Sequence, residues 1–194
     1  MWVKRLYDWT MALAGHRRAL PVLGLIAFIE SSVFPIPPDV MLVPMVLAER
    51  RRAWLIAGVC TVASVLGGLA GYGIGFFLYE TLGRGILEFY GQLEAFGRLQ
   101  GRYQEWGLWI VFAAGLTPLP YKVFTIFSGV AGLDVWVFLL ASLISRGLRF
   151  HVEAWLLWWL GEPIRTFIER YLNILAVVFV VVLIGGFVAI KYLL

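Results

Sequence analysis

Two apolar stretches of this chain are each broken by closely spaced prolines, and that combination narrows the fold more than any other feature of the sequence. The first, residues 19–48, carries Pro35, Pro37, Pro38 and Pro44, with Glu30 and Asp39 inside it. The second, residues 107–132, carries Pro118 and Pro120, with Lys122 just past them. A helix that crosses a bilayer needs about 20 uninterrupted apolar residues, whereas consecutive prolines remove backbone donors and clash with the preceding turn. Neither half of either stretch is long enough to cross. Each stretch is therefore expected to enter the membrane, turn at its prolines (Pro35 and Pro37 in the first, Pro118 and Pro120 in the second) and leave on the side it came from. The irregular backbone of the turn must then be buried in protein, because lipid cannot satisfy it.

Composition supplies the membrane. Of 194 residues, 61% are drawn from AVILMFWYC and only 14% are charged, against roughly 45–50% and 25% in ordinary soluble domains, so a soluble single domain is excluded. Cys60 is the only cysteine and lies in an apolar run, which rules out a disulfide scaffold or a cysteine-built metal site and leaves it a packing residue. No metal and no cofactor is expected. Sixteen Lys and Arg against twelve Asp and Glu give a net charge of +4, which in such a chain sets topology and contact with anionic lipid rather than nucleic-acid binding. Nine Trp, eight Tyr and fourteen Phe provide material for interfacial belts. The basic N-terminus is not followed by a short apolar core and a small-residue cleavage site, so the first segment is expected to stay.

Between these landmarks the chain divides readily. Residues 1–18 place Trp2, Val3, Leu6, Trp9 and Leu13 on one helical face opposite basic residues, the pattern of a helix lying in the headgroup layer. Residues 53–79 form a span in which Ala63, Gly67, Gly71 and Gly75 recur every four residues, a stripe that lets another helix approach closely. Residues 80–105 are mixed in charge and read as an interfacial or extramembrane helical connection. A second span covers 135–160, ending in Trp155, Trp158 and Trp159, and a last one covers 173–194. Placing Gly24-Leu25 on Gly107-Leu108 sets Pro35 on Pro118, Pro37 on Pro120 and Asp39 on Lys122, so a hairpin-plus-helix unit is duplicated. One crossing separates the two copies, which makes the duplication an inverted repeat. The expected fold is thus an all-α polytopic membrane protein: an inverted repeat of two re-entrant helical hairpins, each followed by a transmembrane helix, plus a C-terminal transmembrane helix. Lys4, Arg5, Arg17, Arg18 and Arg50 to Arg52 then share one side, assigned to the cytoplasm.

Six ionisable residues fall within the apolar segments: Glu30, Asp39, Lys122, Arg146, Arg149 and Glu153. Even mild insertion scales charge about 2.5–3.5 kcal/mol for an Arg, Lys or Asp at the bilayer centre, so these groups must face protein or water. Arg146, Arg149 and Glu153 are spaced i, i+3, i+7 and share a helix face, with Ser142 one turn earlier; Glu30 and Asp39 are the expected counterparts. Half-helices broken at midplane depth present backbone donors and acceptors beside such side chains, as in many transporter sites, and phosphate is the anion best suited to a Lys and two Arg. His151 is either a proton relay beside this stripe or a hydrogen-bonded interior histidine.

The motifs Phe34-Pro35-Ile36-Pro37-Pro38-Asp39 after Glu30, Gly67-Gly68-Leu69-Ala70-Gly71-Tyr72-Gly73-Ile74-Gly75, and Pro118-Leu119-Pro120-Tyr121-Lys122 followed by Ser128-Gly129-Val130-Ala131-Gly132 resemble the DedA family of bacterial inner-membrane proteins, which shares its core, the VTT domain, with eukaryotic lipid scramblases. The likeness covers about residues 20–160 and looks closest to the short YqaA-like branch. It implies transbilayer movement of lipids, undecaprenyl phosphate and glycerophospholipids among them, with proton coupling in some members. It further implies that the acidic residues around the first turn, matched by Glu30 and Asp39, and arginines around the second are functional. Lys122 stands where the later arginine is usual; the earlier one, near Gly115 or Leu116, is absent, and Arg146 and Arg149 are expected to take part of its role.

The expected function is lipid translocation in the bacterial inner membrane, with Lys122, Arg146 and Arg149 binding the phosphate and Glu30, Asp39 and Glu153 balancing charge or exchanging protons. The expected partner is a membrane phospholipid or undecaprenyl phosphate, with homo-oligomers compatible and nucleic acid not. Two rivals are weighed against it. A lipid-modifying enzyme would need a nucleophile or acid–base pair, but His151 and Glu153 diverge on a helix and no HExxH or GxSxG occurs, so no enzymatic activity is expected. An assembly factor or small-ion exchanger is the third reading.

Overall fold

In the computed structural model the helix breakers act where the sequence puts them. The structure describes residues 18–33, 37–117, 120–161 and 163; the amphipathic segment over residues 1–17, the span at 173–194, Pro35 and Pro118 lie outside them. Helix α1 (Ala19–Ser32) ends before the first proline cluster, and α2 (Asp39–Ala48) starts directly after it. The amides of Val40, Met41 and Leu42 find the carbonyls of Pro37 and Pro38, so prolines that cannot continue a helix still begin one, where a missing N–H costs nothing. After a 3₁₀ turn at Arg50–Arg52 come α3 (Ala53–Leu78), a π turn (Tyr79–Gly83) and α4 (Arg84–Phe89). A turn then leads into α5 (Leu93–Leu116), the second break leads into α6 (Tyr121–Val130), and α7 (Val135–Leu160) follows. Asp134 fixes the start of α7 by accepting from the amides of Trp136 and Val137 at 2.9 and 3.0 Å, an N-cap that sets the phase of everything after it.

All regular structure among the described residues is helical, and two of its helices are long and apolar enough to cross a membrane: the continuous rod Arg50–Phe89 and α7. The order helix, break, short helix, long helix occurs twice. The spans expected at 53–79 and 135–160 correspond to α3 and α7. The connection expected over 80–105 is not a separate unit: its first half prolongs the line of α3, and its second half is the beginning of α5, which continues to Leu116. Nothing between Leu93 and Leu116 breaks a helix. Single glycines there cost up to about 1 kcal/mol each without ending it, and the shift from polar to apolar composition changes the surroundings rather than the backbone.

Packing directions follow from small residues. On α3, Ala63 meets Gly24, Gly67 abuts the backbone of Phe28 and Gly71 lies beside Ser31, so α1 runs parallel to α3. On α7, Ser145 and Arg146 meet Gly115, and Arg149 reaches the carbonyl of Thr117, so α5 runs parallel to α7. The long helices themselves are antiparallel, through Trp54 with His151, Thr61 with Gly147, Ser64 with Arg146 and Gly68 with Phe138. The return arms exchange partners. Asp39 of α2 pairs with Arg149 of α7, while Thr125, Ile126 and Gly129 of α6 lie against Gly71, Gly75 and Tyr72 of α3. The two hairpins therefore approach each other from opposite ends of the α3–α7 pair.

Exposed tryptophans gather at those ends: Trp54, Trp155 and Trp159 at one, Trp106, Trp109 and Trp136 at the other. From Trp136 to Trp159 is about 34 Å at 1.5 Å per residue, close to a hydrocarbon core of about 30 Å with its interfacial edges.

The α3–α6 contact gives a direct test of this packing. A Cβ at Gly75 would land on the carbonyl oxygen of Ile126 and one at Gly129 on that of Tyr72, whereas one at Gly73 meets nothing within 4 Å. Gly75→Ala or Gly129→Ala is expected to destabilise by about 1–3 kcal/mol, a fall in the detergent-solubilised Tm of roughly 3 °C or more. Gly73→Ala, on the same helix, should leave Tm unchanged or raise it. Equal effects at 73 and 75, read by thermal unfolding, would contradict the contact.

Candidate functional site

The apolar interior falls into two clusters with a polar layer between them. One joins α1, α2, the start of α3 and the end of α7, through Leu23, Leu42, Val46, Ile56, Cys60 and Phe150; Cys60 is ordinary packing there. The other joins α5, α6 and the start of α7, through Val111, Tyr121 and Phe138. Between them, the buried residues of the long helices include Thr61, Ser64, Gly67 and Gly68 on α3 and Ser142, Ser145 and Arg146 on α7. Ser64 and Arg146 each lie eleven residues into their helices, near the middle of spans about 39 Å long.

Arg146 is completely enclosed, with 1% of its side chain exposed. Its Nη2 donates to Glu30 Oε2 at 2.8 Å and its Nε to Ser64 Oγ at 2.6 Å. Ser31 donates to Glu30 Oε2 at 3.1 Å, so the 2.6 Å contact between the two serines is a donation from Ser64 to Ser31. The result is a closed ring, Arg146 to Ser64 to Ser31 to Glu30 and back, in which each hydroxyl gives one proton and takes one. Aromatic rings cover the guanidinium, Tyr121 at 4.8 Å and Phe150 at 4.7 Å from their centroids, and the Tyr121 hydroxyl donates to Ser142. A desolvated charge requires this full set of partners. Gly115 completes the enclosure: a Cβ there would lie 3.6 Å from Arg146 Cδ and would strike Ser145 Oγ. At the position where the family pattern led one to expect an arginine, the stem of Arg146 passes from the neighbouring helix.

Arg149, three residues later on the same face, is placed differently. Its side chain is 21% exposed and that of its partner Asp39 is 25% exposed, against 15% for Glu30. Its Nη2 reaches both Asp39 oxygens at 3.2 and 3.3 Å, and Nη1 donates to the Thr117 carbonyl at 3.4 Å. One side chain thus ties the residue after the first break to the residue at the start of the second. Glu153, one turn beyond on the same face, is a neighbour of Asp39. Thr125 Oγ1 donates to the Ser31 carbonyl at 3.1 Å, satisfying one of the carbonyls left open at the end of α1 and joining the hairpins a second time.

The other candidates divide. Pro37 and Pro120 flank the breaks, and their carbonyls accept from Val40 and Val123. Lys122 is half-buried at the start of α6 and makes no ion pair among the described residues. His151 stacks on Trp54 with centroids 6.0 Å apart, and its Nδ1 lies 2.8 Å from the Gly147 carbonyl, the hydrogen-bonded alternative of its two readings. Sequence reasoning missed Ser31, Ser64, Tyr121 and Thr125. The available signal was weak: a serine next to Glu30, and another as deep in its span as Arg146 is in its own.

Comparison with known proteins accords with this architecture. A family model for the VTT domain matches residues 36–158, which takes in both return arms and both long helices. An uncharacterized protein of Haemophilus influenzae is 36% identical over 170 residues, covering 88% of this chain and 88% of that one. An uncharacterized protein of Histophilus somni is 37% identical over 154 residues, covering 77% and 80%. No solved structure matches. Matched over most of its helical core and related over nearly its whole length, the chain belongs to the VTT-domain, or DedA, family of membrane proteins.

Proposed function

We propose that this chain is a multi-pass protein of the bacterial inner membrane that moves a phosphate-bearing lipid, such as undecaprenyl phosphate or a glycerophospholipid, between leaflets without altering its covalent structure. The observation that carries the reading is the pair of ion pairs between opposed elements, Arg146 with Glu30 and Arg149 with Asp39, in the polar layer where the broken helices meet. Four charges amid two apolar clusters are costly to maintain for packing alone, because hydrophobic side chains of similar volume hold helices together as well or better. An anion that must pass this depth gives them a purpose.

In this reading the two units form an inverted repeat that rocks about the layer. A lipid phosphate supplies countercharge within the protein while its tails stay in hydrocarbon, so no naked anion is buried. Arg149 and Lys122 attend the phosphate, and Arg146 behind them keeps the layer polar and fixed. Glu30, Asp39 and Glu153 balance these charges, and Glu153, an acid beside Asp39, is where movement couples to protons.

Reconstitution of the full chain in liposomes with a leaflet-selective lipid assay tests the proposal. Movement of at least one of the two lipid classes should exceed protein-free vesicles by tenfold or more, roughly 1.4 kcal/mol or more off the barrier, and a proton gradient should accelerate it. Glu153→Gln should abolish that acceleration. Failure of the protein to move either class, with a gradient or without one, overturns the reading.

A further inference from the structure

The two arginines of the polar layer share a helix face but not an environment, and the difference assigns them separate tasks. Arg146 has Nε and Nη2 committed at 2.6 and 2.8 Å, a ring against its guanidinium from both Tyr121 and Phe150, and 1% exposure. No ligand oxygen reaches it without dismantling the ring of hydrogen bonds. Arg149 is held at 3.2–3.4 Å by a carboxylate and a backbone carbonyl and is 21% exposed. These are long contacts for charge-assisted hydrogen bonds, which run at about 2.7–2.9 Å.

We infer that Arg149 is the anion-binding residue of this site and that Asp39 is its resident surrogate, a carboxylate whose two oxygens straddle the Nη2 that a phosphoryl oxygen takes in its place. The exchange is chemically close to even. Asp39 meets Nη2 alone, and a phosphoryl group presents oxygens at the spacing of the guanidinium fork, so it replaces the carboxylate on Nη2 and Arg149 is never left unpaired. Asp39 lies in the first turn of α2, directly after the break, and the displaced carboxylate keeps Glu153 as a neighbour. A phosphoryl group that takes both nitrogens of the fork also displaces the Thr117 carbonyl from Nη1, so anion binding is felt at both breaks. The inference rests on the translocation reading for the identity of the anion's carrier, and on the geometry alone for the residue that binds it.

Binding to the detergent-solubilised full chain tests it, with dihexanoyl phosphatidic acid and inorganic phosphate as probes and calorimetry as the readout. Both probes should bind, and the lipid should compete with phosphate. Arg149→Gln should abolish the binding and Asp39→Asn should tighten it about tenfold, near 1.4 kcal/mol. The decisive term is the double variant: tightening by Asp39→Asn must disappear in the Arg149→Gln background, because the gain comes from freeing that guanidinium. Persistence of the gain there would mean a general change of charge and would overturn the proposal, as would unaltered binding in Arg149→Gln. Binding of phosphate that the lipid does not displace would overturn the shared site. Stability separates the two arginines independently. Arg146→Met, which strands Glu30, should lower Tm by on the order of 10 °C, while Arg149→Gln lowers it by only a few degrees. Lipid movement that survives in Arg149→Gln liposomes would sink this inference and leave translocation standing; its absence from the wild-type chain would sink translocation first.

Discussion

A guanidinium withdrawn from water at the centre of an apolar bundle is the constraint from which the rest of this structure follows. Arg146 is stable only while Glu30, Ser64 and the two aromatic rings attend it together, and leaving one such charge unpaired costs about 3–5 kcal/mol. Three of these partners come from three other elements, Glu30 from α1, Ser64 from α3 and Tyr121 from α6, while Phe150 lies on α7 itself. Their common point fixes the depth of α1, the register of α3 against α7 and the placement of α6. Apolar helices in an apolar solvent gain little from one register over another. The polar ring supplies the missing preference, and the glycines let the backbones come close enough to form it.

The exchange of return arms gives the bundle its coherence. Each long helix receives the first arm of its own unit in parallel and the return arm of the other. Neither unit completes a core by itself: the cluster around α1 and α2 needs Phe150, Ala154 and Leu157 of α7, and α6 needs Gly71 and Gly75 of α3. The residues that flank the two breaks, Asp39 and Thr117, are consequently brought to one side chain, that of Arg149.

How much of this was legible in the sequence depended on which features are energetically expensive. Prolines in apolar runs, charges where charges are costly and small residues every four positions each announced themselves, and they located the breaks, the face of α7 bearing Arg146 and Arg149, and the stripe on α3. Which acid meets which arginine could not be read, because that depends on the register of α1 and α2 against α7, set by contacts distant in sequence. Ser31 and Ser64 stayed hidden for a related reason: a hydroxyl can bond its own helix backbone and so raises no alarm in an apolar segment. Lys122, whose match to Asp39 marks the repeat, makes no ion pair with any described residue. The limits of the 80–105 connection were blurred because polarity changes along α5 while its backbone does not.

The rod Arg50–Phe89 is forty residues long, about 60 Å, or twice the thickness of a hydrocarbon core. At the π turn Tyr79–Gly83, Tyr79 stacks on Phe96, and the far portion of the rod ends at the turn into α5. Moving as one body, a rod of this length would be a lever. A tilt of about 10° displaces its tip by roughly 10 Å over that length, while residues near the polar layer, such as Ser64, travel only a few ångströms. The same beam connects back through α5 to Thr117, so leverage applied at the tip reaches the second break along one arm and the serine ring along the other.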